Sequence, residues 1–357
     1  MAKSNCEIMR VLINTPNWKH PELGGVSSHF YGLQPYWTEN VRYNIVGSRN
    51  KPGRGWFWLP WDILKTIWKI LFFRPDVLMV NTSLARNALR RDSLFINIAH
   101  ALGVHPVVHF HGFNVNYAKC IDVQKFLSFF RYAESFIVLS KAIKEQLEVW
   151  GVKCPIYLST TKVDEKLISD ISLERRRGQI KTILYLGRVE REKGIFLSLD
   201  IYSLLQCKYP QLNYVVVGGG TDLNNAKQYA HEKGIKNIDF TGPLTGKALK
   251  QQFVNADLYL FTSFHEGMPT SVLEAMCFGL PIITRPVGGL VDFFENGKMG
   301  KMIDSFVPED FIEPIDNFIC HPELVQTISY YNHRYGTSHF LASQVANHLE
   351  MILREIC

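Results

Sequence analysis

Near-continuous apolar runs recur along this chain, spaced so that a helix fits between each pair, and this alternation limits the fold more than any single residue does. In the first half they are IMRVLIN (8–14), YNIVGS (43–48), DVLMVN (76–81), PVVHFHG (106–112) and FIVLS (136–140). Runs of this kind suit parallel strands covered on both faces by helices. TILYLG, YVVVGGG, DLYLFTS and PIIT continue the pattern in the second half. The order predicts doubly wound α/β architecture. With 357 residues the chain can build two domains with proper cores. The polar stretch ISDISLERRRGQI (168–180) is the predicted linker, so the expected domains are 1–167 and 168–337. A terminal amphipathic helix is expected over 338–357.

Charge is unevenly placed. Residues 1–165 carry 20 Lys and Arg against 12 Asp and Glu, and residues 166–357 carry 19 against 21. A basic first half suits anionic partners such as phosphates or an acidic membrane surface. The seven cysteines are odd in number and form no CxxC pair, which argues for reduced thiols and against a zinc site. The start lacks a signal-peptide apolar core, and no apolar run approaches the ~20 residues that span a bilayer. A cytoplasmic protein with at most peripheral membrane contact is expected.

Several segments carry chemistry. Gly24-Gly25 precedes a helix expected near Ser27, where glycines let backbone approach a ligand; a plain turn is the alternative. His109 and His111 end a strand and share a sheet face, without a carboxylate that would favour metal. Arg188 follows the strand ending at Gly187, and Lys193-Gly194 comes five residues later; two cations there can neutralise a diphosphate, or simply be surface charge. Gly218–Gly220 lacks the GxGxxG spacing and follows the second strand of its domain, a poor fit to a dinucleotide site. From Phe264 to Gly300 the chain reads FHEGMPTSVLEAMCFGLPIITRPVGGLVDFFENGKMG. Glu266 and Glu274 bracket seven residues, Pro269 to Ser271 reads as a helix start, and Gly279 with Pro281 as its stop. A helix over 271–278 is predicted, with its amide end as an anion seat. Ser271-Val-Leu-Glu274 equally reads as a capping box.

This stretch resembles the E-x7-E signature of glycosyltransferase family 4, the retaining transferases of the GT-B fold. Gly24-Gly25 resembles that family's first glycine-rich loop, G-G-hydrophobic-x-x-H, and Arg188 to Gly194 its G-R-x-x-x-x-K-G. Ser140–Leu147 and Ile238–Leu244 match family segments too, whereas Thr161-Lys162-Val163-Asp164 replaces its N-G-V-D. The resemblance implies a GT-B fold: two Rossmann-like doubly wound domains facing across a cleft, with the last helix crossing back to the first. It implies that Arg188, Lys193 and the amides near Thr270 hold the donor diphosphate, that Glu266 and His111 hold the donor sugar, and that Glu274 holds the ribose. Gly24, Gly25, Gly267, Met268, Pro269 and Ser271 complete the expected donor contacts, and His109 is read as a satisfied core residue.

The expected activity is transfer of a hexose-type sugar from a nucleotide diphosphate sugar, UDP favoured over GDP, to a glycan or lipid-linked acceptor in cell-surface polysaccharide assembly. No metal or other cofactor is expected; the chain contains no D-x-D. Nucleic acid is not an expected partner. The rival readings are a GT-B-fold nucleotide-sugar epimerase and a non-catalytic glycan-assembly subunit. Residues 51–61, with Lys51, Arg54, Trp56 and Trp58, suit contact at the inner face of the cell membrane. From Trp61 onward Leu64, Ile67, Trp68 and Leu71 share a helical stripe, predicted to pack on the sheet, with Asp62, Lys65 and Lys69 on the other face.

Overall fold

The computed structural model describes residues 8–17, 19, 24–47, 55–113, 115–171, 173 and 180–357. The chain divides into two compact units: 1–162 together with 342–357, and 163–341. The crossing therefore falls five residues before the predicted boundary. Val163 is the reason: it is fully buried in the second unit's core. It also bridges to Leu341, and its N–H donates to the Phe340 carbonyl at 2.6 Å. The predicted linker residues 172 and 174–179 lie outside the described residues. Ser338 and His339 finish the helix Pro322–His339, and the terminal helix starts later than predicted, spanning Ala342–Ile356.

The first unit is a parallel sheet ordered β2-β1-β3-β4-β5-β6. Its strands are β1 (Arg10–Thr15), β2 (Asn40–Ile45), β3 (Val77–Ser83), β4 (His105–Gly112), β5 (Ser135–Val138) and β6 (Ile156–Leu158). Five match the apolar runs; the three-residue β6 is too short to stand out. The terminal helix joins this unit. Ala342, Val345, Ala346, Leu349, Ile352 and Leu353 enter one core cluster with Val11, Ile13, Phe30 and Leu33. Its buried Glu350 accepts bonds from the Thr38 N–H (2.7 Å), the Thr38 hydroxyl (2.6 Å) and the Glu39 N–H (2.8 Å).

The helix Leu59–Phe73 overturns the predicted packing. Its apolar stripe faces outward: Trp61, Leu64, Trp68 and Leu71 are 58%, 61%, 58% and 56% exposed. The stripe of Asp62, Lys65, Thr66 and Lys69 faces inward, toward β2, an edge strand, beside Leu59, Ile70 and Phe73, which enter the core. Edge strands present unpaired backbone groups. Here Lys65 Nζ donates to the Ile45 carbonyl (2.8 Å) and Lys69 Nζ to the Tyr43 carbonyl (2.6 Å). Thr66 Oγ1 accepts from Asn44 Nδ2, and Asp62 accepts from the Gly47 N–H, both at 2.8 Å. Satisfying these buried groups outweighs the periodicity of the side chains. Of the predicted membrane loop, residues 51–54 and the Trp56 side chain lie outside the described residues; Phe57 and Trp58 are exposed.

The second unit is a parallel sheet ordered β12-β11-β10-β7-β8-β9. Its strands are β7 (Thr182–Leu186), β8 (Asn213–Val217), β9 (Ile238–Gly242), β10 (Leu258–Phe261), β11 (Ile282–Thr284) and β12 (Gly300–Met302). Numbered within the unit this is 3-2-1-4-5-6, so the order reverses between β7 and β10. Ligands of open α/β sheets bind at such a switch point, beyond the carboxyl ends of the strands. Among the described residues no helix is long and apolar enough to cross a membrane.

Candidate active site

The loops leaving β7 and β10 meet at the switch point. Tyr185, fully buried in β7, donates from its hydroxyl to the carbonyls of Arg188 and Lys193, each at 3.1 Å, and so cinches the loop between them. Gly194 closes the loop with φ of 74°, and a Cβ there would lie 2.0 Å from the Thr262 carbonyl oxygen. Only glycine permits both this backbone and this approach. The loop is thereby pressed onto the end of β10, and Lys193 Nζ reaches Glu266 Oε1 at 2.7 Å, with both side chains about five-sixths buried. Ser263 Oγ donates to the same oxygen at 2.8 Å. Both bonds fall on Oε1, so Oε2 keeps acceptor capacity, and an ammonium with three donors keeps some for a ligand. Arg188 sits on the same loop, 66% exposed, and pairs with Glu190 at 2.8 Å. Of the two expected cations, only Lys193 touches Glu266.

Beyond Glu266 the chain passes Gly267, Met268 and Pro269 into the helix Thr270–Cys277. The Gly288-Gly289 turn braces this loop. Gly289 N–H donates to the Gly267 carbonyl at 2.8 Å, and Gly288, at φ 53°, comes so close that a Cβ would lie 2.3 Å from the same oxygen. The predicted helix is present, one residue earlier, and ends at Gly279 with φ of 71°. The predicted cap is not: Pro269, not Ser271, occupies the N-cap and makes no side-chain cap bond, and Ser271 is the second helical residue. Ser271 instead hydrogen-bonds to Tyr259. With proline at the N-cap, the cap residue itself supplies no side-chain acceptor to the helix amides, and such an amide end suits an anion. Burial raises the Tyr259 phenol well above its usual range, and the charges of Glu274 and Glu266 add to the rise. Both carboxylates therefore act electrostatically on one buried phenol.

Sequence reasoning missed the braces. Ser263 lies two residues past the end of β10. Arg285 follows β11 and is buried, with Nη1 to the Ser263 carbonyl at 3.3 Å, Nε to the Ser305 carbonyl at 2.8 Å, and its guanidinium 3.6 Å from the Phe306 ring centre. Their signal was position at strand ends, which spacing alone did not separate from ordinary turn chemistry.

His111, Gly24 and Gly25 belong to the first unit. Gly24-Gly25 opens the helix Gly25–Leu33, and a Cβ on either would meet open space. This helix turns His29 inward, a residue foreshadowed only by the G-G-x-x-x-H spacing. His109 and His111 ring centres lie 3.9 Å apart, and His29 lies 5.4 Å from His111. Asn81 Nδ2 donates to the Asn14 carbonyl at 2.8 Å, so its Oδ1 must accept from His111 Nε2 at 2.7 Å. That fixes the tautomer: Nε2 carries hydrogen and Nδ1 presents a lone pair. Burial holds the His111 pKa down at about 3, keeping it neutral. His29 and His109 are also lowered, first by burial and then by neighbouring charge, including His111. His109 is buried as expected but not satisfied; neither its ring nitrogens nor those of His29 have a partner among the described residues. No group of three or more His, Cys, Asp or Glu among the described residues is placed to hold a metal ion.

The family model of glycosyl transferases group 1 fits residues 171–335. An uncharacterized glycosyltransferase of Haemophilus influenzae is 31% identical over 150 residues, 42% of each chain. The lipopolysaccharide 1,6-galactosyltransferase of Salmonella typhimurium is 26% identical over 204 residues, 56% of each. The chain spans about half the length of the curated relatives it matches. HepE of Anabaena, solved in complex with UDP, superposes with a TM-score of 0.75 at 17% identity, covering 98% of this chain and 100% of that one, which shows a shared GT-B fold. Residues 171–335 are thus similar to the group 1 glycosyl transferases, in a chain with the GT-B fold.

Proposed function

We propose that the chain is a retaining glycosyltransferase of family 4, moving a hexose-type sugar from a UDP-sugar to a glycan or lipid-linked acceptor in cell-surface polysaccharide assembly. The observation that carries this reading is the Lys193–Glu266 pair at the β7/β10 switch point, next to a helix start whose N-cap is Pro269. Lys193 and the amides from Thr270 stabilise negative charge as the diphosphate leaves, with exposed Arg188 swinging from Glu190 to join them. Glu266 Oε2 orients the donor sugar, and Glu274 accepts from the ribose hydroxyls. Neutral His111 accepts a sugar hydroxyl at Nδ1. Retention rests on the family resemblance. UDP is preferred because HepE binds it.

Charge neutralisation is assigned to protein cations, so transfer should persist in EDTA. Purified protein should consume UDP-sugar in the presence of acceptor. Glu266→Ala should lower turnover at least about 1000-fold, roughly 4 kcal/mol of barrier, with UDP binding retained. Turnover within tenfold of the parent would remove the assignment.

The same reading places the protein at the inner face of the cell membrane. Residues 49–74 carry Arg49, Lys51, Arg54 and Arg74, besides Lys65 and Lys69, which turn inward with the one carboxylate, Asp62. The outward stripe supplies Trp61, Leu64, Trp68 and Leu71. Tryptophan with net positive charge suits the interface of an anionic bilayer.

A further inference from the structure

In the first unit, a cavity of about 270 Å³ lies beyond the carboxyl ends of β3 and β4. The first turns of the helix Arg86–Ala101, which follows β3, supply Arg86 and Arg90; the helix Val123–Phe129, after β4, supplies Lys125. None of these three cations has an ion pair among the described residues, whereas the adjacent Arg91 is held by Asp92 at 2.6 Å. The cavity's one carboxylate, Asp122, accepts from the Lys125 backbone N–H at 3.0 Å and leaves the lining with excess positive charge. Gathering like charges without a counter-charge is unfavourable, and a bound anion reverses the sign. The floor is apolar, formed by Leu89, Phe126 and Phe129.

We propose that this cavity binds the phosphate group of a phosphate ester whose neighbouring portion is apolar, Arg86 and Arg90 gripping the phosphate oxygens and Lys125 closing from the opposite helix. Guanidinium groups suit this task because they present paired N–H donors to phosphate oxygens. The proposal deepens the glycosyltransferase reading by naming the acceptor class; it rests on that reading for the acceptor role, not for the phosphate binding itself.

Calorimetry with geranyl monophosphate, geraniol and glucose 1-phosphate tests it, on the full chain with UDP present to occupy the second unit. Geranyl monophosphate should bind measurably and geraniol at least tenfold more weakly. The double variant Arg90→Gln/Lys125→Gln should bind geranyl monophosphate at least tenfold more weakly, with unchanged thermal unfolding. If glucose 1-phosphate matches geranyl monophosphate and both are lost in the variant, the phosphate site stands and its source is a soluble sugar phosphate. Equal affinity in parent and variant, or phosphate binding abolished by UDP, overturns the site. Absence of UDP binding or sugar transfer with the phosphate site intact would instead sink the glycosyltransferase reading.

Discussion

The two units share an architecture and differ in how their sites are made. Each has a six-stranded parallel sheet with chemistry at the carboxyl ends of its strands. In the second unit the key groups are charged and held by loops: Lys193 against Glu266, tightened by Tyr185 below and by glycine turns on either side. In the first unit they are neutral and held by elements: His111 and His109 on β4, His29 on a helix, and Asn81 on β3. One scaffold thus carries a buried ion pair at the strand ends of one sheet and a cluster of neutral imidazoles at those of the other. The strand orders differ too, 2-1-3-4-5-6 against 3-2-1-4-5-6, and the side chains at the strand ends set the chemistry.

Lys193→Ala attacks the contrast most directly. It removes a cation and leaves Glu266 buried without its partner, so kcat/KM for the donor should fall about 100-fold or more. Arg188→Ala removes an exposed cation and should cost about tenfold, since exposed pairs are worth little. Equal losses in steady-state kinetics would mean that burial does not separate the two cations.

Acid should distinguish the units next. A histidine with a lowered folded pKa binds fewer protons folded than unfolded. Its stabilising contribution is therefore full above the unfolded value of about 6.5 and is lost as pH falls toward the folded one. For His111 the window runs from there to about 3, with His29 and His109 acting in the same direction. All seven tryptophans lie in the first unit, so their fluorescence reports its unfolding alone. The midpoint in urea should drop as pH falls from 7 to 4.5, and less so in His29→Asn/His109→Asn, provided that variant folds. An unchanged midpoint in the parent would contradict buried neutral histidines.

The smallest effect should come from the outward stripe. Leu64→Ser and Trp61→Ser alter exposed side chains and should shift stability by no more than about 0.5 kcal/mol. The same variants should lose flotation with vesicles containing phosphatidylglycerol. Wild-type flotation that survives both substitutions would detach membrane contact from this face.

Much of the fold was legible because parallel strands buried on both faces announce themselves as apolar runs, as β1, β3 and β10 do. The loop-borne site was legible because Glu266, Glu274, Arg188 and Lys193 keep a spacing along the chain that survives folding. The orientation of the 59–73 helix was not legible. Its amphipathic pattern is sound, but periodicity does not say which stripe an edge strand requires. His29 was hidden for a related reason, since its partners come from β4, eighty residues onward. Ser271 and Glu274 made a sound capping box on paper, yet Pro269 took the cap and Tyr259 took Ser271.

The sequence by itself determined the two sheets, the succession of strands and helices, and the residues that supply charge to the second unit, because these depend on contacts between neighbours in the chain. The tertiary structure decided which stripe of a helix faces water, which cation meets Glu266, and which histidines remain neutral. Those outcomes depend on backbone groups and burial supplied by distant segments, and only folding brings them together.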